Sequence, residues 1–235
     1  MNSFKAILAG MSIGLFSLPA LSSENNFYFS VGGGNGSVSD ITAEETIDGT
    51  VYDAEMGMDS SFIYDIEIGK KIENWRLGLS YTSGEHEWED ITVTTGGVGV
   101  TGSFTDEPVF DVNSIMFNVY RDFPTENKFS PYIGIGIGQS NVEFQDYSVT
   151  IDGTTFVVTD EGRDLFTWDI KGGVSYEVNN TTDLYGELSY MQTEEWDEDG
   201  IDNSPNALFT TRDSVYTGVK ESASTSFLWR YYLPT

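Results

Sequence analysis

Between Phe166 and Met191 the chain alternates polar and apolar residues through two arms joined by a short polar turn. Trp168, Ile170, Val174, Tyr176 and Val178 share one parity. Thr167, Asp169, Lys171, Gly173, Ser175 and Glu177 share the other. After Asn179-Asn180-Thr181-Thr182-Asp183, Leu184, Leu188 and Tyr190 alternate with Tyr185, Glu187 and Ser189. A period of two places successive side chains on opposite faces of an extended strand, so this stretch is a hairpin with one apolar and one polar face. A soluble sandwich would bury the apolar face, whereas a membrane barrel would turn it to lipid and enclose the polar one. The number of such strands and the address on the chain separate the two.

The address is at the start. Lys5 is followed by an apolar stretch from Ala6 to Leu18, and Ala20 and Ser22 form a small-x-small pattern. This is expected to be a secretory leader over residues 1–22, cleaved after Ser22, with the functional domain over 23–235. Ala6 to Leu21 is short for a span of about 20 residues, and Pro19 interrupts its end. No later run is apolar over that length, which excludes a helical membrane protein. An exported chain is then soluble or a closed barrel, the other structure that satisfies every backbone group in lipid.

Eight segments repeat the alternation: 26–34, 61–70, 75–82, 111–121, 130–139, 166–178, 184–191 and about 218–233. Their lengths suit tilted crossings of about 9–11 residues. The expected fold is all-β, an eight-stranded antiparallel up-and-down transmembrane barrel. Trp168, Tyr190 and Tyr81 are placed at one membrane interface, and Trp75, Tyr176 and Tyr231 at the other. Three connections are short (71–74, 122–128, 179–183), and four, after the first, third, fifth and seventh strands, run to about 25 residues. Short turns belong on the periplasmic side, so both termini are expected there. Each long connection carries a turn dipeptide: Asp48-Gly49, Gly96-Gly97, Asp152-Gly153 or Asp199-Gly200. Such pairs tolerate positive φ and favour two-residue hairpins. The first three long connections should therefore continue as twisted hairpins, while the fourth, acidic and interrupted by Pro205, is less clearly sheet.

Composition narrows the partners. With Lys5 removed, 10 basic residues stand against 38 acidic ones, a formal charge of −28. Nucleic-acid binding, which needs Lys and Arg to neutralise phosphates, is excluded. Without cysteine there is neither a disulfide framework nor a thiolate metal site.

Three segments carry a family resemblance: Asn118-Val-Tyr-Arg-Asp-Phe-Pro124, Ser130-Pro-Tyr-Ile-Gly-Ile-Gly-Ile-Gly138 and Asp183-Leu-Tyr-Gly-Glu-Leu-Ser-Tyr190. The chain resembles small outer-membrane barrels of the OmpA-like and opacity-protein type over essentially all of 23–235. The resemblance implies the bacterial outer membrane, lipid and lipopolysaccharide as surroundings, and the barrel-assembly machinery as a partner during insertion. It is specific for architecture and weak for activity. A further cell-wall-binding domain after the last strand is not expected, so cell-wall tethering is not implied. Barrels of this type end on an aromatic residue, whereas here Tyr232 is followed by Leu233-Pro234-Thr235.

Candidate functional residues fall in two places. Asp65, Glu67, Arg76, Asp169, Lys171, Glu177, Glu187 and Arg230 have the inward parity, and a lumen of eight strands has room only for side chains. They are expected to form a structural ion-pair network, with Glu187 beside Arg230 and Glu67 diagonal to Arg76. Tyr120, Tyr132 or Tyr185 would fill the space left by Gly134, Gly136 and Gly138. The acidic run Glu194–Asp202 offers weak cation candidates, Asp197, Asp199 and Asp202, for Ca²⁺ or Mg²⁺. Its spacing is not that of an EF-hand, and neither a resident metal nor another cofactor is expected. His86, the only histidine, has no serine beside it in the sequence and reads as an exposed residue at the start of a loop, so catalysis is not expected. Tyr52, Trp88, Phe104, Tyr147, Phe156 and Trp196 would either pack the loops together or meet an extracellular partner. The sequence thus reads as a monomeric barrel with a structural or surface-interaction role of adhesin or antigen type. A small porin is the alternative, and a lipid-modifying enzyme stands behind it.

Overall fold

The computed structural model describes residues 26–39, 41–47, 50–104, 109–145, 147–151, 154–158, 162–200, 212–216 and 220–232. The expected leader, Asp48-Gly49, Asp152-Gly153, Asp202, Pro205 and the Leu233-Pro234-Thr235 tail lie outside these residues.

The described residues form an all-β fold, antiparallel throughout. In chain order the strands are β1 (Phe27–Val38), β2 (Ile41–Ile47), β3 (Thr50–Met58), β4 (Ser61–Ile72), β5 (Trp75–Thr95), β6 (Val98–Phe104), β7 (Val109–Asp122) and β8 (Phe129–Phe144). They continue as β9 (Tyr147–Ile151), β10 (Thr154–Val158), β11 (Arg163–Asn179), β12 (Thr182–Thr193), β13 (Trp196–Gly200), β14 (Arg212–Tyr216) and β15 (Lys220–Tyr232). Eight of them close a ring, β1-β4-β5-β7-β8-β11-β12-β15, because β15 pairs back onto β1 through Tyr28↔Tyr232 to Val38↔Glu221. Closure removes every sheet edge at the level of the barrel.

The outward rows are apolar and exposed: Phe29 and Val31 on β1, Phe62, Tyr64 and Ile66 on β4, Ile133, Ile135 and Ile137 on β8, Trp168, Ile170, Val174 and Tyr176 on β11. An exposed greasy girdle is the reverse of what a water-soluble sheet presents, and suits a hydrocarbon surround. Ring pairs border it. Trp168 and Tyr190 lie 5.8 Å apart at one end, with Tyr64 and Tyr81 at 6.4 Å. Phe129 and Tyr176 lie 4.9 Å apart at the other.

Short turns close one end. Ile72↔Trp75 leaves Glu73-Asn74 as a two-residue turn, with Glu73 at φ 55. Asn179↔Thr182 brackets a turn in which Thr181 donates from its backbone N and its Oγ1 to Asn179 Oδ1, both at 2.9 Å.

At the other end the barrel strands do not stop at the girdle. β5 runs for 21 residues and β11 for 17. The hairpins β2–β3, β5–β6, β9–β10 and β13–β14 join side by side in the order β13-β14-β2-β3-β5-β6-β9-β10. The result is a second sheet, a crown, continuous with the barrel wall through β5. The Gly96-Gly97 turn sits between Thr95↔Val98, with φ 57 and 81, as a two-residue hairpin of positive φ requires. The described residues of the fourth excursion are also sheet: β13 and β14 pair from Trp196↔Tyr216 to Gly200↔Arg212. This excursion carried the weakest strand signal because β13, Trp-Asp-Glu-Asp-Gly, is built of residues that strands disfavour.

The last strand departs from simple alternation. Against β1 the register steps from Gly33↔Phe227 to Gly34↔Thr225, and against β12 from Tyr185↔Leu228 to Glu187↔Thr225. The bulge moves Thr225 into line with Glu187 and Gly34. One extra residue in β15 offsets the register of everything beyond it.

Candidate functional site

The inward rows converge on a lumen built in layers. Nearest the short turns, Arg76 is completely buried and its Nε donates to Asp122 Oδ1 at 2.9 Å and to Oδ2 at 3.2 Å. Its guanidinium lies over the rings of Tyr120 (4.2 Å to the centroid) and Tyr132 (4.7 Å). Arg230, also buried, lies over Tyr185 at 4.4 Å and Tyr28 at 5.5 Å. Two cations are thus wedged among four tyrosine faces, where the ring quadrupoles attract them.

The next layer is carboxylate-rich. Glu67, 4% exposed, accepts from Tyr28 Oη at 2.6 Å, Tyr120 Oη at 2.8 Å and Asn118 Nδ2 at 2.8 Å. Tyr132 Oη donates to Glu187 Oε2 at 2.9 Å. Lys171 Nζ meets Asp169 Oδ2 at 3.3 Å and feels the charges of Glu187, Glu67 and Asp65. Charge-assisted hydrogen bonds of this kind offset the several kcal/mol that each buried ion would otherwise cost. Above them is a layer of hydroxyls. Ser114 Oγ and Ser140 Oγ are 2.6 Å apart, and Thr167 Oγ1 donates to Ser140 Oγ at 2.7 Å.

An apolar lid closes the stack where barrel passes into crown. Val38, Ala54, Met58, Phe110, Val112, Val142, Leu165 and Met191 form one buried cluster, with Ile91 and Val93 packed against it.

The β8 glycines make this filling possible. A Cβ at Gly134 would lie 2.4 Å from the Tyr120 ring, and one at Gly136 would lie 2.3 Å from Asn118 Oδ1 and 2.5 Å from Asp169 Oδ1. Neighbouring side chains occupy the room that these positions leave empty. Tyr120 fills the space at Gly134, while Tyr132 lies instead against Gly173.

The inward charges named from parity are distributed as follows. Glu67, Arg76, Asp169 and Arg230 are buried in the lumen, and Asp65, Lys171 and Glu187 are partly buried there. Glu177 is not among them: it is exposed, beside the Asn179 turn, because parity carries an inward row past the end of the lumen. The expected heights are also different. Arg230 stands opposite Asp183 while Glu187 stands opposite Thr225, since the bulge in β15 offsets the heights. Arg76 stands opposite Lys71, four residues from Glu67, and takes Asp122 on β7 instead. Asp122 was missed because it was assigned to a turn, although it continues the inward parity of Asn118 and Tyr120.

His86 requires a larger correction. It is fully buried, not exposed, at the junction of barrel and crown. Its Nδ1 lies 3.3 Å from both Asp59 O and Ser61 Oγ, and Asp111 acts on it electrostatically. Burial holds its pKa below the ordinary histidine range. A sequence-distant serine therefore does reach the imidazole, but the same nitrogen is shared with a backbone carbonyl and the ring is sealed from solvent. That geometry suits a strut better than a general base.

The acidic run of the fourth excursion is extended. Asp197 and Asp199 lie at alternate positions of β13, opposite Val215 and Asp213, and Asp202 lies outside the described residues. Among the described residues no group of three or more His, Cys, Asp or Glu is placed to hold a metal ion. Of the six loop aromatics, the side chain of Tyr52 alone is described, and it is half-buried.

Charge is distributed very unevenly along the chain. The four long excursions, 39–60, 85–109, 143–164 and 194–221, contain 27 of the 38 acidic residues and 3 of the 11 basic ones.

The family model for an outer membrane protein beta-barrel domain matches residues 8–209. No curated protein matches in sequence. Among solved structures, the outer membrane protein OprG from Pseudomonas aeruginosa superposes with a TM-score of 0.59 at 15% identity, over 90% of this chain and 99% of that one. Neisserial surface protein A (NspA) superposes with a TM-score of 0.50 at 16% identity, over 90% of this chain and 100% of that one. At such identities the likeness speaks for the fold alone.

Proposed function

The chain belongs to the outer membrane protein beta-barrel domain family, and from that premise we propose that it is a closed barrel of the bacterial outer membrane that acts through its crown, as a surface-interaction protein. In this reading the short turns and both chain ends face the periplasm. The crown stands outside, surrounded at its base by lipopolysaccharide. The barrel inserts with the help of the assembly machinery and works as a monomer and without enzymatic activity.

One observation carries the proposal: the lumen is filled by side chains from the Arg76–Asp122 layer up to the apolar lid around Phe110 and Val142. A barrel closed in this way holds and displays, and what it displays is one hydrogen-bonded sheet and not four separate loops. A narrow channel is the rival reading. It draws on Arg76 Nη1 and Nη2, which are buried without a hydrogen-bond partner in the protein and so suit bound water. Single-channel recording on the mature chain in a planar bilayer decides between them. The closed barrel is expected to give no steady conductance, and openings comparable to those of a general porin would overturn it. A lipid-product assay on the reconstituted protein addresses the enzyme reading, for which no turnover is expected.

A further inference from the structure

At the short-turn end of the girdle, basic residues and aromatic rings pair across neighbouring strands on the outer face. Lys70 Nζ lies 5.4 Å from the centroid of Phe27, its direct partner between β4 and β1. The Arg121 guanidinium lies 5.0 Å from Trp75, its direct partner between β7 and β5. Lys128 Nζ lies 5.8 Å from Tyr176, whose ring also packs on Phe129 between β11 and β8. Three of the ring's strand pairs therefore carry the same device at the same height. Of the acidic residues of this end, Glu73 and Glu126 are exposed on the turns beyond the girdle, and Glu177 is exposed on β11, where its N donates to Lys128 O at 2.9 Å.

Aromatic residues of a girdle settle at the level of lipid headgroups. A cation held against such a ring is fixed at that level, with its apolar stem along the wall and its charge toward the polar layer. We propose that these three pairs are binding sites for the phosphate of anionic phospholipid headgroups. The short-turn end of the barrel would then select anionic lipid although the protein as a whole carries a large negative charge. The inference rests on the membrane-spanning reading alone and is independent of whether the crown binds a partner.

The test uses the full mature chain in phosphatidylcholine vesicles with trace spin-labelled phosphatidylglycerol or spin-labelled phosphatidylcholine. Spin resonance measures the share of each label immobilised on the protein. Phosphatidylglycerol is expected to be favoured by about fivefold at low salt, the scale of one basic residue near an anionic surface, with the preference shrinking at high salt. Equal immobilisation of the two lipids by the unaltered protein would overturn the proposal. In the variant Lys70→Gln/Arg121→Gln/Lys128→Gln the preference should fall to near parity, and in Lys70→Arg/Lys128→Arg it should persist. A preference unchanged in the triple Gln variant would also overturn it. Glu73→Gln/Glu126→Gln should leave the preference in place; a gain as large as the triple variant's loss would mean that overall charge, and not these sites, sets it. Inorganic phosphate that displaces the lipid beyond chloride of equal ionic strength would overturn the assignment to a lipid headgroup in favour of free phosphate. Heat-dependent gel mobility of each variant reports barrel folding separately, so failure of the membrane-spanning reading is distinguishable from failure of the lipid sites.

Discussion

At the scale of single residues the lumen is governed by pairing. Arg76 is fully buried and Asp122 nearly so. Replacing Arg76 by Met leaves the nearly buried carboxylate with Lys71 alone, 3.9 Å away and partly exposed. Such a break costs about 3–5 kcal/mol. Arg76→Met should therefore lower the urea midpoint of the detergent-folded barrel substantially, and Arg76→Met/Asp122→Leu should recover much of the loss. Glycines give a second contrast. At Gly138 an added methyl would meet the backbone oxygen of Ile115 and Met116 Sδ at 2.8 Å, whereas at Gly172 it meets nothing within 4 Å. Gly138→Ala should be destabilising by about 1–3 kcal/mol, the range for overpacking, and Gly172→Ala close to neutral, as read by the same titration. His86 supplies a pH dependence. Its folded pKa lies below the ordinary value because burial disfavours the charged ring. The unfolded chain therefore takes up the proton first as pH falls. The stability this group contributes is complete above about pH 6.5 and is lost as pH drops from there toward the folded pKa. Amide exchange at Asp59, whose N donates to Glu87 O at 2.9 Å, should speed up between pH 7.5 and 5.5 beyond the intrinsic trend. In His86→Gln that extra change should vanish.

At the scale of elements, hairpin turns hold the crown and lumen layers hold the barrel, so the two should separate under mutation. Gly96 and Gly97 both take positive φ, which costs about 1–2 kcal/mol for a residue with a Cβ. Gly96→Ala/Gly97→Ala should raise exchange along β5 above Ile91 and along β6 while leaving the heat-dependent gel shift of the barrel unchanged. Period two was enough to find all eight wall strands, because each has one face in hydrocarbon and the pattern is enforced along its length. Gly96-Gly97 marked its hairpin turn, whereas Asp199-Gly200 did not: both residues lie in β13, paired with Asp213 and Arg212. Period two could not give the heights of residues on different strands. Heights depend on register, and register depends on bulges such as the one in β15 that brings Thr225 level with Glu187. For the same reason Glu177 looked lumenal and Asp122 did not. The burial of His86 was hidden from the sequence because the corner at Asp59 that covers it comes from a different hairpin.

At the scale of the whole molecule, charge is segregated: the excursions are strongly acidic and the remainder is close to balanced. Like charges held on one compact sheet repel, and salt screens them over a Debye length of about 30 Å at 0.01 M but about 10 Å at 0.1 M. Crown amides should therefore be better protected at the higher salt, with barrel amides indifferent. Calcium at matched ionic strength should add nothing further unless Asp197 and Asp199 take part in a specific site; a calcium-specific gain abolished by Asp197→Asn/Asp199→Asn would establish one.

The side-by-side union of the four hairpins has a practical corollary. Surface barrels are often treated as scaffolds whose extracellular turns can be swapped one at a time. Here, cutting out the hairpin formed by β2 and β3 would strip hydrogen-bonded neighbours from both β14 and β5. Two raw borders would be left, each able to stick to another chain. A foreign epitope is better spliced into a hairpin tip such as Gly96-Gly97, where the strands on either side keep their partners.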